Sequence, residues 1–583
     1  METTSREGRM FIEGCGAEDL ARAYGTPLYV YSEPDIVDKC RGIRREFLDK
    51  YEDTRAAYAA KAFCTMGMVK LVEREGLCLD VVSGGELYTA LQAGFPPERI
   101  EFNGNNKLPA ELEMAVEAGI GRIIVDGLQE LSLLEGICAA RGRKMKVLFR
   151  VTPAVDSHTH AYISTGKKDS KFGIPMDPEI LWPLVERALS SQWVDFLGFH
   201  FHVGSQLHEN GSHLAALETV LDLSGEMWRR WKRPVRELNI GGGFSARYLP
   251  GEPRQPWSYF LDPVMERVEA RFSALGLPRP AVVIEPGRSI VAEAGLTLYT
   301  VGSVKDIPGV RKYVSVDGGM TDNIRPALYQ AAYTVAAATR MDEAAREMVT
   351  VCGKCCESGD ILARDVSLPP VEAGDLLAVY TTGAYGYSMA SNYNSNPIPA
   401  AVLVKEGRAE VLVRRQSYAD MTALQEIPPS LRWAPGGWRD RSGHPRRVPA
   451  LSFRPALRGE DGRPRSHKRP SRPRIPPFPL YTRAKCDIVF GSFFRPPGGM
   501  VPPKSGQAHI RDTPWRESTP RPAGERGDIS WIYPSAHWAT TGSCCRRRGC
   551  SPRTRPCPRP CSPGRCGWCP ATPRTWGRTP CSS

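Results

Sequence analysis

The residue in the least expected surroundings is Lys61, at the end of the apolar stretch Tyr58-Ala-Ala-Lys-Ala-Phe63. A buried ammonium group is unfavourable unless its charge is paired or lost. One interpretation is a lysine that extends to solvent or pairs with a carboxylate on a neighbouring strand. The other is a lysine of depressed pKa that forms a Schiff base with a carbonyl group. The stretch alone leaves both interpretations open.

Two further segments have the chemistry of a phosphate and ring site. The glycines Gly241, Gly242 and Gly243 expose backbone that a phosphate can approach closely, and Arg288 supplies a positive charge. Glu285, three residues before Arg288, can pair with that arginine or hold the N–H of a pyridinium ring.

A pair of histidines alternates with phenylalanines in His200-Phe-His-Val-Gly-Ser205, so both imidazoles point to one side of a strand. Either can be a core histidine, and His202 with Ser205 can also stack on a ring or bind phosphate. Taken together, the lysine, the carboxylate, the glycine run and the histidine indicate a pyridoxal phosphate site.

Adjacent thiols lie beside a carboxylate in Gly353-Lys-Cys-Cys-Glu-Ser-Gly-Asp360. A cysteine can donate a proton to a reacting carbon, and a carboxylate such as Glu357 can bind a substrate ammonium group. Successive side chains in an extended loop point in opposite directions, so only Cys355 or Cys356 can face a site. Alternatively, both thiols pack as small apolar groups.

These residues belong to a repeating pattern of short apolar strands, each followed by a helix-like stretch. Eight such units predict a closed (β/α)8 TIM-like barrel. The predicted strands are Arg55 to Ala62, Cys78 to Ser83, Ile100 to Gly104, Ile123 to Asp126, Lys146 to Val151, Phe196 to Gly204, Glu237 to Gly243 and Val282 to Gly287. Lys61, Asp80, His202 and Glu285 fall at or near carboxyl ends of these strands, the catalytic rim of this fold.

The pattern changes after the barrel into strands separated by turns, which predicts a C-terminal β-rich domain. Its predicted strands are Leu298 to Val304, Tyr313 to Asp317, Met348 to Cys352, Leu376 to Thr381, Ala401 to Lys405 and Glu410 to Arg414. We expect an N-terminal segment, 1–32, to pair with this domain through Pro27 to Tyr31. The predicted domains are then the barrel at 33–290, the β-rich domain at 291–428 and a tail at 429–583.

The tail differs sharply from the rest in composition. Residues 431–583 carry 30 Lys+Arg against 8 Asp+Glu and 26 of the 51 prolines, so the preceding residues hold a net charge of −9 within the total of +13. Such a segment cannot easily bury a core, and we expect disorder. A basic arm for nucleic acid, or zinc bound by Cys566 and Cys569, is the weaker alternative because no histidine pair follows at ligand spacing.

The first sixteen residues contain no apolar signal region, and no apolar run reaches the length of a membrane span. The eight cysteines before residue 431 are scattered, which suits reduced thiols. We therefore expect a cytoplasmic protein with no membrane contact and no bound metal.

Long motifs throughout residues 10 to about 425 resemble the diaminopimelate decarboxylase family, whose members are fold-type III pyridoxal phosphate enzymes with an alanine racemase-like fold. The motifs are Tyr58-AAKAF, Asp80-VVSGGEL, Phe102-NGNNK, His158-THAYISTGKKDSKFGI, Gly198-FHFHVGSQ, Asn239-IGGGF, Ile284-EPGRSIV, Val316-DGGMTDNIRPALY, Cys356-ESGD and Thr382-GAYGYSMASNYN.

The resemblance implies decarboxylation of meso-2,6-diaminopimelate to L-lysine and CO₂, the last step of lysine biosynthesis, with Lys61 as the Schiff-base lysine and Cys356 as the second catalytic residue. The expected cofactor contacts are Lys61, Asp80, His202, Ser205, Gly241, Gly242, Gly243, Glu285, Pro286, Gly287, Arg288 and Tyr385. The expected substrate contacts are Arg288, Arg325, Tyr329, Glu357 and Tyr385. It also implies a homodimer in which Cys356 and Glu357 reach the partner's barrel.

The sequence departs from the family pattern at Lys354, where a proline is usual, and at Asn396, where an arginine is common. The nearest alternative is a decarboxylase of another basic amino acid or of carboxynorspermidine on the same fold. A racemase would need a second acid/base residue that no motif provides. A pyridoxal phosphate carrier of this fold would lack the second domain, and nucleic-acid binding would have to come from the tail.

Overall fold

The computed structural model describes residues 1, 3–153 and 169–431, all within a compact unit, Met1–Ala450. Most of the motif that begins at His158, together with Cys566 and Cys569 of the tail, lies outside the described residues. Within the described part of the chain, no helix is both long and apolar enough to cross a membrane.

The described strands alternate with helices up to β13 and then follow one another more directly. The strands are β1 Thr3–Arg6, β2 Arg9–Ile12, β3 Cys15–Gly16, β4 Leu28–Ser32, β5 Thr54–Ala59, β6 Cys78–Val81, β7 Ile100–Phe102, β8 Arg122–Val125, β9 Met145–Thr152, β10 Ile174–Pro175, β11 Val194–His200, β12 Glu237–Asn239, β13 Ala281–Ile284, β14 Gly295–Ile307, β15 Arg311–Val316, β16 Val335–Ala337, β17 Glu347–Cys352, β18 Ile361–Leu368, β19 Leu376–Tyr380, β20 Ala400–Lys405 and β21 Arg408–Val413. The helices are α1 Ala17–Tyr24, α2 Glu33–Ile43, α3 Met66–Arg74, α4 Gly84–Gln92, α5 Pro109–Ala118, α6 Leu128–Arg141, α7 Pro178–Ser190, α8 Gly211–Trp231, α9 Trp257–Ala274, α10 Arg288–Val291, α11 Arg325–Tyr329 and α12 Tyr418–Thr422.

Eight parallel strands close into a barrel in the order β5-β6-β7-β8-β9-β11-β12-β13, and β13 pairs with β5. The predicted fold class, a (β/α)8 barrel followed by a β-rich domain, is therefore confirmed. Because all eight strands run in the same direction, their carboxyl ends meet at one rim. The groups that follow each strand are thereby brought together.

Short connections at this rim are fixed by helix caps. The Ser83 hydroxyl, two residues after β6, accepts a hydrogen bond from the Glu86 N–H at 3.2 Å and begins α4. Thr65 begins α3 in the same way through the Met68 N–H. A capping side chain satisfies a helix N–H group that has no partner within the helix, so the chain turns from strand to helix within a few residues.

Seven of the eight observed barrel strands end earlier than the sequence predicts, and β9 ends one residue later, at Thr152. Chain after β5 enters a short helical turn, Ala60–Ala62, and β11 and β12 end at His200 and Asn239 rather than at the following glycines. The residues beyond each strand end carry the polar groups of the rim. The sequence predicts strand for these residues because their neighbours along the chain are apolar and buried.

Ion pairs occupy the barrel interior away from that rim. Arg122 Nε lies 2.9 Å from Glu237 Oε1, and Arg55 pairs with the same carboxylate. Glu101 lies 3.8 Å from Arg122 and is fully buried. Buried charges need such partners, since desolvation of an isolated charge is costly.

The β-rich domain contains a mixed sheet in the order β18-β17-β15-β14-β4-β20-β21, with β19 pairing with β14 and β16. Strand β4 lies between β14, to which it is antiparallel, and β20, to which it is parallel. Strand β18 and the β1–β2 hairpin were not predicted. Asp365, inside β18, has a positive φ of 50°, and the pairing register shifts, so the alternation that marks a strand is interrupted.

Candidate active site

A cavity of about 430 Å³ opens at the carboxyl rim of the barrel. It is lined by Ala59, Lys61, Val82, Asn103, Gly104, Asn105, Arg150, Phe172, His202, Ser205, Gly242, Gly243, Phe244, Glu285, Gly287, Arg288, Arg325, Tyr329, Tyr385 and Met389. Eleven of the predicted site residues are among them, contributed by both the barrel and the β-rich domain. The size suits a small-molecule ligand.

Lys61 points its ammonium group toward a buried carboxylate, and Nζ lies 3.5 Å from Asp80 Oδ2. Burial lowers the pKa of Lys61, but Asp80, Tyr385 and Glu285 outweigh burial and raise the pKa above its usual value. Burial also raises the pKa of Asp80, to about 7, although the Lys61 charge opposes this. Lys61 is thus paired with a carboxylate of a neighbouring strand, and its pKa is raised rather than depressed.

Glu285 follows β13 directly, and its Oε1 atom receives several N–H groups. Asn103 and Asn239 each donate a side-chain hydrogen bond to it at 2.9 Å, and His200 Nε2 lies 3.0 Å away. Burial raises the pKa of Glu285, but His200 and Lys61 outweigh burial and hold the pKa well below its usual value. Glu285 therefore presents an ionised carboxylate to the cavity.

His202 lies against the glycine run that follows β12. Its Nδ1 accepts a hydrogen bond from the Gly242 N–H at 3.2 Å. Burial, together with the charges of Lys61 and Arg150, lowers the pKa of His202 well below its usual value, so the imidazole is neutral. Gly243 has a positive φ of 103°, and a Cβ there would lie 2.5 Å from the Gly204 carbonyl oxygen, so only glycine fits.

Two arginines reach the cavity from different parts of the chain. Arg288, at the start of α10, donates from Nε and Nη2 to the Ser205 hydroxyl at 3.2 Å and 2.9 Å, and its guanidinium lies 4.9 Å from the Tyr385 ring centre. Arg325 begins α11 in the β-rich domain, 5.9 Å from the Tyr329 ring centre. This arrangement favours binding of a carboxylate or phosphate.

The remaining predicted residues do not line this cavity. Asp80 acts through Lys61, while Gly241 donates to the Asn239 side chain and accepts from the Glu285 N–H. Pro286 accepts from the Ala59 N–H, which joins β13 to β5. Cys356 and Glu357 are exposed in the loop between β17 and β18.

Several lining residues were not predicted as site residues, among them Phe172, Phe244 and Met389. Arg150 lies one residue before the end of the predicted strand Lys146 to Val151, and Asn105 directly follows the predicted strand Ile100 to Gly104, so their position at the rim was a usable signal. Phe172 contacts the Arg150 guanidinium, whose carbon lies 4.5 Å from the ring centre. Apolar lining residues carry no such signal, because a phenylalanine or methionine in a loop has the same sequence appearance whether it lines a cavity or packs in a core.

These groups fit pyridoxal phosphate. The cavity holds one amine for a carbonyl group, an ionised carboxylate for a ring N–H, and a neutral imidazole. Backbone at Gly243, with Ser205 and Arg288, provides donors of the kind that a phosphate requires.

Comparison with known proteins shows the family of this chain. Residues 34–292 match the family model for the pyridoxal-binding domain of pyridoxal-dependent decarboxylases. The chain is 48% identical to the diaminopimelate decarboxylase of Bacillus subtilis over 424 residues, which are 72% of this chain and 97% of that protein. This chain belongs to the diaminopimelate decarboxylase family.

Other members of the family are similar in sequence and in structure. The Mycobacterium tuberculosis enzyme is 40% identical over 73% of this chain and 96% of its own length. The solved diaminopimelate decarboxylase of M. jannaschii, which also has a complex with L-lysine, superposes with a TM-score of 0.69 at 35% identity, covering 74% of this chain and 99% of that one. The resemblance drawn from the motifs is thereby confirmed, as are the pyridoxal phosphate cofactor and the decarboxylase class.

Proposed function

We propose that this diaminopimelate decarboxylase family member converts meso-2,6-diaminopimelate to L-lysine and CO₂, and that it does so in the cytoplasm. The observation that carries the substrate proposal is the presence of two guanidinium groups, Arg288 and Arg325, in the cavity that also holds Lys61. Diaminopimelate has two carboxylates and loses one of them as CO₂. The carboxylate that it keeps is a suitable ligand for the two arginines. All eight cysteines of the described residues are free thiols, which supports a reducing compartment.

Bound pyridoxal phosphate supplies an electron sink for the electrons left when the carboxylate departs. Lys61 is the amine that would hold the cofactor through its carbonyl group. Its pairing with Asp80 keeps the side chain directed into the cavity. Asp80 would stabilise the ammonium form of Lys61 whenever this amine carries a proton.

Glu285 keeps a proton on the pyridine nitrogen of the cofactor. Asn103 and Asn239 hold the carboxylate in place, and both donate to Oε1. His202 supplies a flat neutral surface for the ring, since its Nδ1 is committed to the Gly242 N–H. The protein thereby stabilises the cationic form of the ring, in which electron withdrawal is strongest.

Arg288 and Arg325 bind the carboxylate that the substrate keeps, and Tyr329 and Tyr385 close the same side of the cavity. Arginine is suited to this role because its planar N–H groups match a carboxylate in pairs. The distal ammonium group of the substrate requires an anionic partner. We assign this role to the Glu357 carboxylate of a second copy of the chain.

Cys356 and Glu357 complete the site from that second copy. In a single chain both are exposed and lie away from the cavity lining, as expected of groups that serve a partner. The Glu357 N–H donates to the Cys355 carbonyl at 2.8 Å, so the loop turns at Cys356. The Cys356 N–H donates to Asn394 Oδ1 at 2.7 Å, which fixes the loop to the β-rich domain.

The two neighbouring thiols differ in their surroundings. The Cys355 N–H donates to Asp360 Oδ2 at 2.8 Å, and Asn396 Nδ2 lies 3.8 Å from Cys355 Sγ. Burial and the Asp360 charge raise the pKa of Cys355 to about 11. Cys356 is exposed and free to face a partner's site. Asn396, one of the two departures from the family pattern, thus contacts the thiol that we do not assign to catalysis.

We expect Cys356→Ala to lower kcat by roughly a hundredfold, because a positioned general acid contributes about that much. In heavy water the variant should also lose stereochemical control of deuterium incorporation at the carbon that lost the carboxylate, which is Cε of L-lysine. Cys355→Ala is the matched control and should change kcat little. Near-normal kcat and stereochemistry in both variants would require the proton to come from elsewhere, such as water or Lys61.

An assay of the purified protein with meso-diaminopimelate tests the proposed function, with L-lysine and CO₂ measured together. L-lysine, L-ornithine and carboxynorspermidine in parallel assays represent the alternative decarboxylases. We expect turnover with diaminopimelate alone, since a substrate that retains no carboxylate leaves Arg288 and Arg325 unpaired. Preference for one of the other substrates would replace the proposal.

A further inference from the structure

A buried tyrosine, Tyr248, lies behind the two arginines of the cavity. Its hydroxyl oxygen accepts hydrogen bonds from Arg288 Nη1 at 2.6 Å and from Arg325 Nη1 at 3.0 Å. Tyr248 is only 8% exposed and is not among the residues that line the cavity. It belongs to the loop that follows β12, five residues after Gly243.

The hydrogen bonds divide the Arg325 guanidinium into a held part and a remaining part. Arg325 Nη1 has two N–H groups, and these go to Tyr248 and to the Tyr333 hydroxyl, which lies 2.5 Å away. Among the described residues, no other hydrogen bond of this guanidinium is found, so its Nε and Nη2 edge remains for a ligand. That edge presents two parallel N–H groups, the arrangement that binds a carboxylate in a bidentate manner.

The hydroxyl oxygen of Tyr248 also reduces the repulsion between the guanidinium groups of Arg288 and Arg325. Burial raises the pKa of Tyr248, but the charges of Arg288 and Arg325 outweigh burial and lower it below its usual value. Electron density on the phenolic oxygen is thus stabilised between two positive groups that would otherwise repel each other. Both guanidinium carbons also lie over the tyrosine ring, at 5.8 Å and 5.0 Å from its centre.

We propose that Tyr248 is a positioning residue that holds Arg288 of the barrel and Arg325 of the β-rich domain as one clamp for the carboxylate that the substrate retains. This inference rests on the proposed function, because it takes the ligand of the arginine pair to be that carboxylate. Tyr248 itself touches neither substrate nor cofactor. Its effect is on the affinity for amino acids that carry a carboxylate at the far end, and not on the chemical step.

The test replaces Tyr248 by phenylalanine, which removes the hydroxyl and keeps the ring that packs 5.5 Å from the Tyr333 ring. Loss of a charge-assisted hydrogen-bond acceptor for two arginines should raise the KM for diaminopimelate roughly tenfold or more, with kcat within about threefold of the parent enzyme. Binding of L-lysine to the holoenzyme, measured by calorimetry, should weaken by a similar factor.

A second ligand separates carboxylate binding from general damage to the site. The diamine 1,5-diaminopentane has the carbon chain and both amines of L-lysine but no carboxylate, so Tyr248→Phe should leave its Kd unchanged. Tyr24→Phe is the control for loss of a tyrosine hydroxyl, because Tyr24 donates to the Ala409 carbonyl outside the cavity. This control should bind both ligands as the parent does.

The outcomes are distinguishable. A normal KM for diaminopimelate in Tyr248→Phe, or equal weakening of L-lysine and the diamine, overturns the role of Tyr248. If the parent enzyme does not turn over diaminopimelate at all, the proposed function fails instead. If circular dichroism shows that Tyr248→Phe does not fold, Tyr248→His is measured in its place, since an imidazole nitrogen can accept one of the two guanidinium N–H groups. The Kd for L-lysine should then rise relative to the Kd for the diamine, and equal changes in the two Kd values overturn the role of Tyr248.

Discussion

Replacement of Lys61 by alanine abolishes turnover and removes the visible absorption band of the bound cofactor. Lys61 is the lysine among the residues that line the cavity, and its Nζ is already held by Asp80 at 3.5 Å. No other described lysine lines the cavity to take over covalent attachment. We expect kcat to fall by at least about 10³-fold, as for loss of a covalent catalyst in other enzymes.

The measurements are CO₂ release and the absorption spectrum of the purified holoenzyme. Lys50→Ala provides the control, because Lys50 pairs with Asp262 outside the cavity and its loss should leave both readings unchanged. A Lys61→Ala protein that keeps both the band and normal turnover would remove the basis of the proposed mechanism. Circular dichroism distinguishes the expected loss of both readings from a failure of the Lys61→Ala variant to fold.

Replacement of Glu285 by glutamine is expected to lower kcat by roughly 10²–10³-fold, about 2.7–4 kcal/mol in activation free energy. A neutral amide cannot keep the ring nitrogen protonated. It also places a second N–H₂ group among the donors from Asn103 and Asn239 that now converge on Oε1. Because the pKa of Glu285 lies below its usual value, the parent enzyme should retain this function down to pH values where exposed glutamates become protonated.

Glu237→Gln provides a matched control for a buried carboxylate of the same barrel. Glu237 pairs with Arg55 and Arg122 and does not line the cavity. Its loss should lower the thermal unfolding temperature, since Arg55 loses its partner and Arg122 keeps only Glu101. It should preserve kcat of the folded enzyme, because Glu237 is not among the residues that line the cavity. Equal kcat in Glu285→Gln and the parent would mean that the protonated ring nitrogen is not needed.

The barrel could be predicted from sequence because each strand is a short apolar run that is followed by a helical stretch. The rim was predictable for the same reason, and Lys61, His202 and Glu285 all line one cavity. Most strand ends were predicted too late, since apolar residues such as Ala62 and Val203 continue beyond the last paired residue of the strand. Strand β18 was missed because its alternation is interrupted at Asp365.

The contacts that tune the site could not be predicted. Tyr248 follows a glycine run in a loop, and nothing in its neighbours along the chain indicates two arginines from positions 288 and 325. Asn239 lies in a quoted motif, yet its hydrogen bond to Glu285 depends on how β12 and β13 pair. Such roles arise from distances between strands and domains, which periodicity along the sequence does not encode.

The place of β4 in the sheet has a consequence for the order in which the chain can fold during synthesis. Its neighbours, β14 and β20, are translated long after it, and the barrel strands are complete at Ile284. The barrel can therefore form on the ribosome while the segment Leu28–Ser32 still has no partner strand. The β-rich domain can close only after Lys405 has emerged, so the arginine pair and the Cys356 loop are the last parts of the site to be assembled.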